Sequence, residues 1–76
     1  MESIIQLTTV ARVHAERKGL LDRLQWTKLD RWIVAGDVIA FHDQRFIVRE
    51  RRIETAEDGE LTRLVFVLDY PARSGG

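Results

Sequence analysis

Side chains able to do nucleophilic or metal chemistry are few in this chain and badly spaced for it. Covalent catalysis needs a Ser, Thr or Cys held against a base. There is no cysteine, and the only serines are Ser3 and Ser74, near the two ends. The threonines fall in strand or helix-cap contexts that call for no catalytic explanation. His14 and His42 stand in neither HxH nor HxxxH spacing, and no thiolate can complete a ligand set around them. They read as solvated or hydrogen-bonded rings. Asp37, after Gly36, and Asp43, after His42, sit where short carboxylates shape turns. The glycines are isolated or terminal, so no loop cradles a phosphate. The expectation is a non-enzyme with no cofactor, no metal and no evident small-molecule substrate.

The arginines carry more. Arg45, Arg49 and Arg51 share one alternation parity, Arg52 is adjacent, and Arg63 lies across a hairpin. A basic stripe of this kind suits phosphates or acidic partners. Against that, Glu50 and Glu54 interleave with it, and 12 basic residues balance 12 acidic ones. Proteins that grip nucleic acid through its phosphates usually carry a positive excess. Base stacking would fall to Phe46, which reads as core. Nucleic-acid binding through Arg45, Arg49, Arg51, Arg52 and Arg63 is therefore the alternative reading. Trp26 and Trp32, six positions apart, read as residues that help cover the open face of a sheet. An exposed one becomes the leading interface anchor.

The elements that must position these residues are clearest after Val34. Gly36-Asp37 opens a strand over 37–42, a turn at Asp43-Gln44 follows, and a second strand runs over 45–55. Asp58-Gly59 between apolar runs is a hairpin signal, because glycine accepts positive φ. The strand after it covers 60–70, and Pro71 ends it by removing a donor. Closing this hairpin sets Ile53 opposite Leu64 and Glu54 opposite Arg63, an apolar pair beside an ion pair. Phe46 and Val48 then have the wrong parity to share a face with Ile53, so either a β-bulge lies within Arg49–Arg52 or both faces of the strand are partly covered. The last strand is apolar on both faces, with Leu64, Phe66, Leu68 and Tyr70 on one side and Leu61, Val65 and Val67 on the other. Its second face needs cover, from the 20–33 segment or from another chain.

Before Val34 the pattern is mixed. Residues 3–15 alternate as a strand would, yet Ile4, Leu7, Ala11 and His14 would share a helical face. Residues 20–33 show two helical stripes out of phase, consistent with one short or broken helix, with a turn near 20–25 followed by a second short turn begun by Thr27 as its cap, or with a long irregular excursion.

Seventy-six residues allow one domain, expected over 1–71 with a flexible tail at 72–76. So small a chain buries only about 60% of its unfolded surface, and without cysteine it must rely on dense packing or association. No stretch approaches the roughly 18 apolar residues of a membrane span, and the start lacks the basic and apolar regions of a signal peptide. The expectation is a cytoplasmic protein. The fold expected is mainly β, with α+β as the alternative: an SH3-like barrel or strongly bent antiparallel sheet with one short helical segment.

The stretch from Ala35-Gly36-Asp37 through Phe46-Ile47-Val48 to Asp58-Gly59 and Leu64-Val65-Phe66-Val67-Leu68 resembles the C-terminal β-half of small head–tail joining and tail-completion proteins of tailed phages. That resemblance covers about half the chain and implies a non-catalytic, ring-forming virion subunit with no active-site residues to carry over. Together these readings favour a protein–protein assembly module, self-associating through Trp26, Trp32, Arg49, Arg51, Val65 and Val67.

Overall fold

The computed structural model describes residues 2–71, so the tail expected at 72–76 lies outside the described residues. Six elements follow in order: β1 (Glu2–Leu7), α1 (Thr9–Arg17), α2 (Leu21–Trp26), β2 (Val38–Phe41), β3 (Gln44–Thr55) and β4 (Leu61–Asp69). The fold is mainly β, as expected: one four-stranded sheet in the order β1-β4-β3-β2, with two short helices. Two finer expectations are corrected. The sheet is open, with β1 and β2 at its edges, and β1 runs parallel to β4 while the other pairs are antiparallel. The helical layer is also two helices rather than one segment.

The added helix has a local cause at Thr8. Its hydroxyl accepts from the Ala11 amide at 3.2 Å, capping α1 directly after β1. Residues 3–15 are therefore strand and then helix, and His14, expected at a strand end, stands on α1. Thr27 closes the second helix instead of opening a further turn: its hydroxyl donates back to the Arg23 carbonyl at 2.7 Å.

The hairpin over 38–55 turns one residue earlier than expected. His42 and Asp43 both take positive φ, 48° and 65°, and Phe41 pairs with Gln44. Two successive left-handed residues match the twist of the flanking strands, and Asp and His tolerate that region better than most side chains. Asp37 shapes the approach as expected: its Oδ2 accepts from the Val34 amide at 3.0 Å. Gly36, at φ 99°, donates its own amide to the Val48 carbonyl.

The β3–β4 hairpin has the expected register, Ile53 opposite Leu64 and Glu54 opposite Arg63. The register shifts between Val48 and Glu50, which makes Arg49 the bulge residue. That single extra residue changes the parity of everything after it. Phe46, Val48, Arg51 and Ile53 now share the inner face with Leu64, Phe66 and Leu68. Ile47, Glu50, Arg52 and Glu54 fall on the outer face with Arg63, Val65 and Val67. Against the inner face pack Ala11, Ala15, Leu20 and Leu24, with Ile5, Leu7, Leu29, Ile33 and Tyr70 at the margin. Ala11 and Ala15, four apart on α1, present small side chains that let its backbone approach the sheet.

Candidate functional site

The two tryptophans do not cover the sheet. Trp26 is 80% exposed and Trp32 is 74% exposed. Leu20, Leu24 and the two alanines fill the space that the sequence pattern had assigned to them. Trp26 is the last residue of α2, and Trp32 lies on the connection from α2 to β2. Asp30 shapes that connection: its Oδ1 accepts from the Trp32 amide at 3.2 Å, and its carbonyl accepts from the Ile33 amide at 3.0 Å. Ile33 packs on the core while Trp32 projects, with the Arg31 guanidinium 5.2 Å from its ring centroid. Both indoles leave large apolar area in water, which is unfavourable for an isolated subunit.

The outer face of the sheet is covered differently from expectation. Val65 is fully buried, at 0% exposure, by the chain's own side chains. Arg52 is its cross-strand neighbour and reaches over it to Gln6 Oε1 on β1 at 3.3 Å. Arg52 also pairs with Glu50 and Glu54, and Glu54 pairs in turn with Arg63. The aliphatic stem of an arginine can shield apolar surface while its head stays wet. Val65 thus offers no contact atoms to a partner, whereas Val67 is half-buried and Arg49 exposed.

The arginine group is divided by the bulge. Arg49 pairs with Asp69, Arg52 with Glu50 and Glu54, and Arg63 with Glu54, which neutralises most of the outer face. Among the described residues, Arg45 and Arg51 have no carboxylate within ion-pair distance. They stand on opposite faces, since Arg45 precedes the inward Phe46 and Arg51 pairs with the inward Phe66. The stripe expected from shared parity does not form.

Asp69 is a junction that the sequence reading missed. Its Oδ1 accepts from the Thr8 hydroxyl at 2.7 Å and from the Tyr70 amide at 2.8 Å, while Oδ2 accepts from Arg49 at 3.3 Å. One carboxylate thereby ties the end of β4 to the cap of α1 and to the bulge. The Thr8 hydroxyl, then the Tyr70 amide and Arg49, hold the Asp69 carboxyl below its ordinary range against a smaller opposing effect of burial. The Arg63 hydrogen bond, with Arg52, does the same for Glu54. A carboxyl depressed in the fold adds stability above its unfolded pKa and loses it as pH falls through the folded pKa. The urea midpoint is expected to hold steady from about pH 7 to about 5 and to decline below about 4. Glu54→Gln together with Asp69→Asn is expected to flatten that decline. Because both side chains remain partly exposed, solvent screening keeps the effect modest.

The residues weighed for catalysis or metal binding are scattered. Ser3 is on β1, His14 bonds Gln44 Oε1 through Nε2 at 2.6 Å and stacks on Tyr70 at 3.6 Å, and His42 sits in the β2–β3 turn within 3.3 Å of Arg23. Among the described residues no group of three His, Asp or Glu side chains is placed to hold a metal ion. No helix of the described residues is long and apolar enough to cross a membrane. No protein-family model, curated protein or solved structure matches this chain.

Proposed function

We propose that this chain is a non-enzymatic assembly module that binds copies of itself through Trp26 and Trp32. The observation that supports this reading is the exposure of both indoles on one short stretch of a chain whose remaining large aromatics are at least half-buried. Tryptophan is the side chain most enriched among residues whose truncation costs an interface dearly. Balanced charge adds no long-range repulsion between copies. A standard interface of about 800 Å² per partner would take roughly one seventh of the 5474 Å² surface, an area this small chain can supply. Arg51, bonded to the Arg31 carbonyl, borders this tryptophan stretch, whereas Val67 lies on the outer face of the sheet, Arg49 pairs with Asp69 at the bulge and Val65 is buried, so those three stay outside the contact.

Light scattering at about 10 μM is expected to return a mass above that of one chain. Trp32→Ser is expected to weaken the association by about tenfold or more, with an unchanged fold by circular dichroism. A monomer at every concentration, or an assembly indifferent to both tryptophans, rules the reading out. The resemblance to head–tail joining proteins extends the proposal to a ring-forming subunit of a phage virion. Flanking capsid and tail genes would support that extension, and a neighbourhood without them would count against it.

A further inference from the structure

Between the 29–31 segment and the ends of β1, β3 and β4 lies a groove of about 340 Å³, lined by Ser3, Leu29, Asp30, Arg31, Arg51, Ile53 and Leu64. Its walls are apolar where Leu29, Ile53 and Leu64 meet, and Arg51 lies among them because the Arg49 bulge turns it inward. This arginine is poorly satisfied. A guanidinium has five N–H donors. Among the described residues only one of those on Arg51 finds a protein acceptor, the Arg31 carbonyl at 3.3 Å. Its Nε is covered and has no acceptor at all. Asp30 lines the same groove, but no contact within 4.0 Å joins it to Arg51, and one of its oxygens is engaged by the Trp32 amide. Two arginines against one aspartate leave the groove with a net charge of one positive unit in a chain whose total is zero.

We infer that this groove binds a small organic monocarboxylate with a short apolar tail. The carboxylate answers the Nη1 and Nη2 end of Arg51, since Nε is covered by the protein, and a two-oxygen anion is the natural partner of that planar end. The tail answers Leu29, Ile53 and Leu64. One negative charge fits the single excess positive charge, whereas a phosphate dianion would set a second charge against Asp30 and the apolar walls. The volume is at the small end of ligand clefts and has room for a short apolar tail. The carboxylate site does not require self-association, although Arg51 borders the tryptophan stretch through the Arg31 carbonyl: Trp32→Ser is expected to weaken association and leave hexanoate binding unchanged.

The test is a titration of the full chain at fixed pH and ionic strength, followed by amide shifts, with hexanoate, hexanamide and sulfate as probes. Hexanoate is expected to shift Leu29, Asp30, Arg51 and Ile53 saturably at about 1 mM, with hexanamide and sulfate weaker by about tenfold or more. Arg51→Gln is expected to lose about tenfold, and Lys18→Gln, which removes the same charge from the end of α1, to lose nothing. Arg51→Lys, with charge but no fork, should fall between them. Equal binding of hexanoate and hexanamide to the unaltered chain overturns the assignment, as does no saturable shift by about 20 mM. A peptide ending in a free carboxylate that binds about tenfold tighter than hexanoate would overturn the small-molecule assignment in favour of a chain terminus.

Discussion

Phe66→Ala is expected to leave most of the population unfolded, or within about 1 M urea of unfolding, at room temperature. Phe66 is fully buried in the middle of β4, the strand that alone contacts both β1 and β3. Its partners are Ile5 on one side and Arg51 on the other, and α1 and α2 cover it from above. Truncating a core phenylalanine costs about 3–5 kcal/mol, because the lost transfer energy adds to the cost of a cavity that the sheet cannot close. A domain of 76 residues has about 4–11 kcal/mol in total, and small chains tend to the low end. With no disulfide available, nothing outside the packed layer offsets the loss. The control is Val13→Ala on the exposed side of α1, expected to change stability by less than about 0.5 kcal/mol. A urea midpoint for Phe66→Ala within about 0.5 M of the unaltered chain would mean that the core is not where these contacts put it.

The parts of this fold that could be read from residue order alone are those fixed by alternation and turn chemistry. Ile53, Leu64, Glu54 and Arg63 gave the β3–β4 register, and the parity conflict between Phe46 and Ile53 narrowed the strand to a bulge or two-sided cover, of which the bulge at Arg49 is found. Both are local consequences of a strand's period of two. What could not be read is what depends on distant partners. The parallel pairing of Glu2–Leu7 with β4 spans the whole domain, and nothing local to either strand encodes it. Trp26 and Trp32 have the composition of core residues, so their exposure depends on Leu20, Leu24, Ala11 and Ala15 filling the layer first. The outer face misled for a related reason. Val65 and Val67 read as an apolar surface awaiting another chain, because pattern analysis treats Arg52 as a charge and ignores its hydrocarbon stem. Asp69 was missed because its partners, Thr8 and Arg49, lie on elements whose juxtaposition only the topology creates.

That stem leads to the second large effect. Arg52→Ala is expected to lower stability by about 1–2 kcal/mol, and the melting temperature by about 5–15 °C. Exposed ion pairs rarely reach that magnitude. Arg52 does so because two losses coincide: Val65 gains water where the stem lay, and Glu50 and Glu54 lose the cation between them. The two contributions separate experimentally. Arg52→Met keeps an unbranched apolar chain over Val65 but has no charge, and it is expected to recover at least half of the loss. Raising salt to about 1 M screens the carboxylates without uncovering the valine, so it should destabilise the unaltered chain far less than Arg52→Ala does. If the methionine variant is as unstable as the alanine one, the charge ladder rather than the cover holds this face. In that event Val65 must owe its burial to Ile4 and Gln6 of β1, the neighbours that share its side of the sheet. With the cover confirmed, the outer face is self-sufficient in a single chain, which leaves the tryptophan stretch as the surface that most needs a partner.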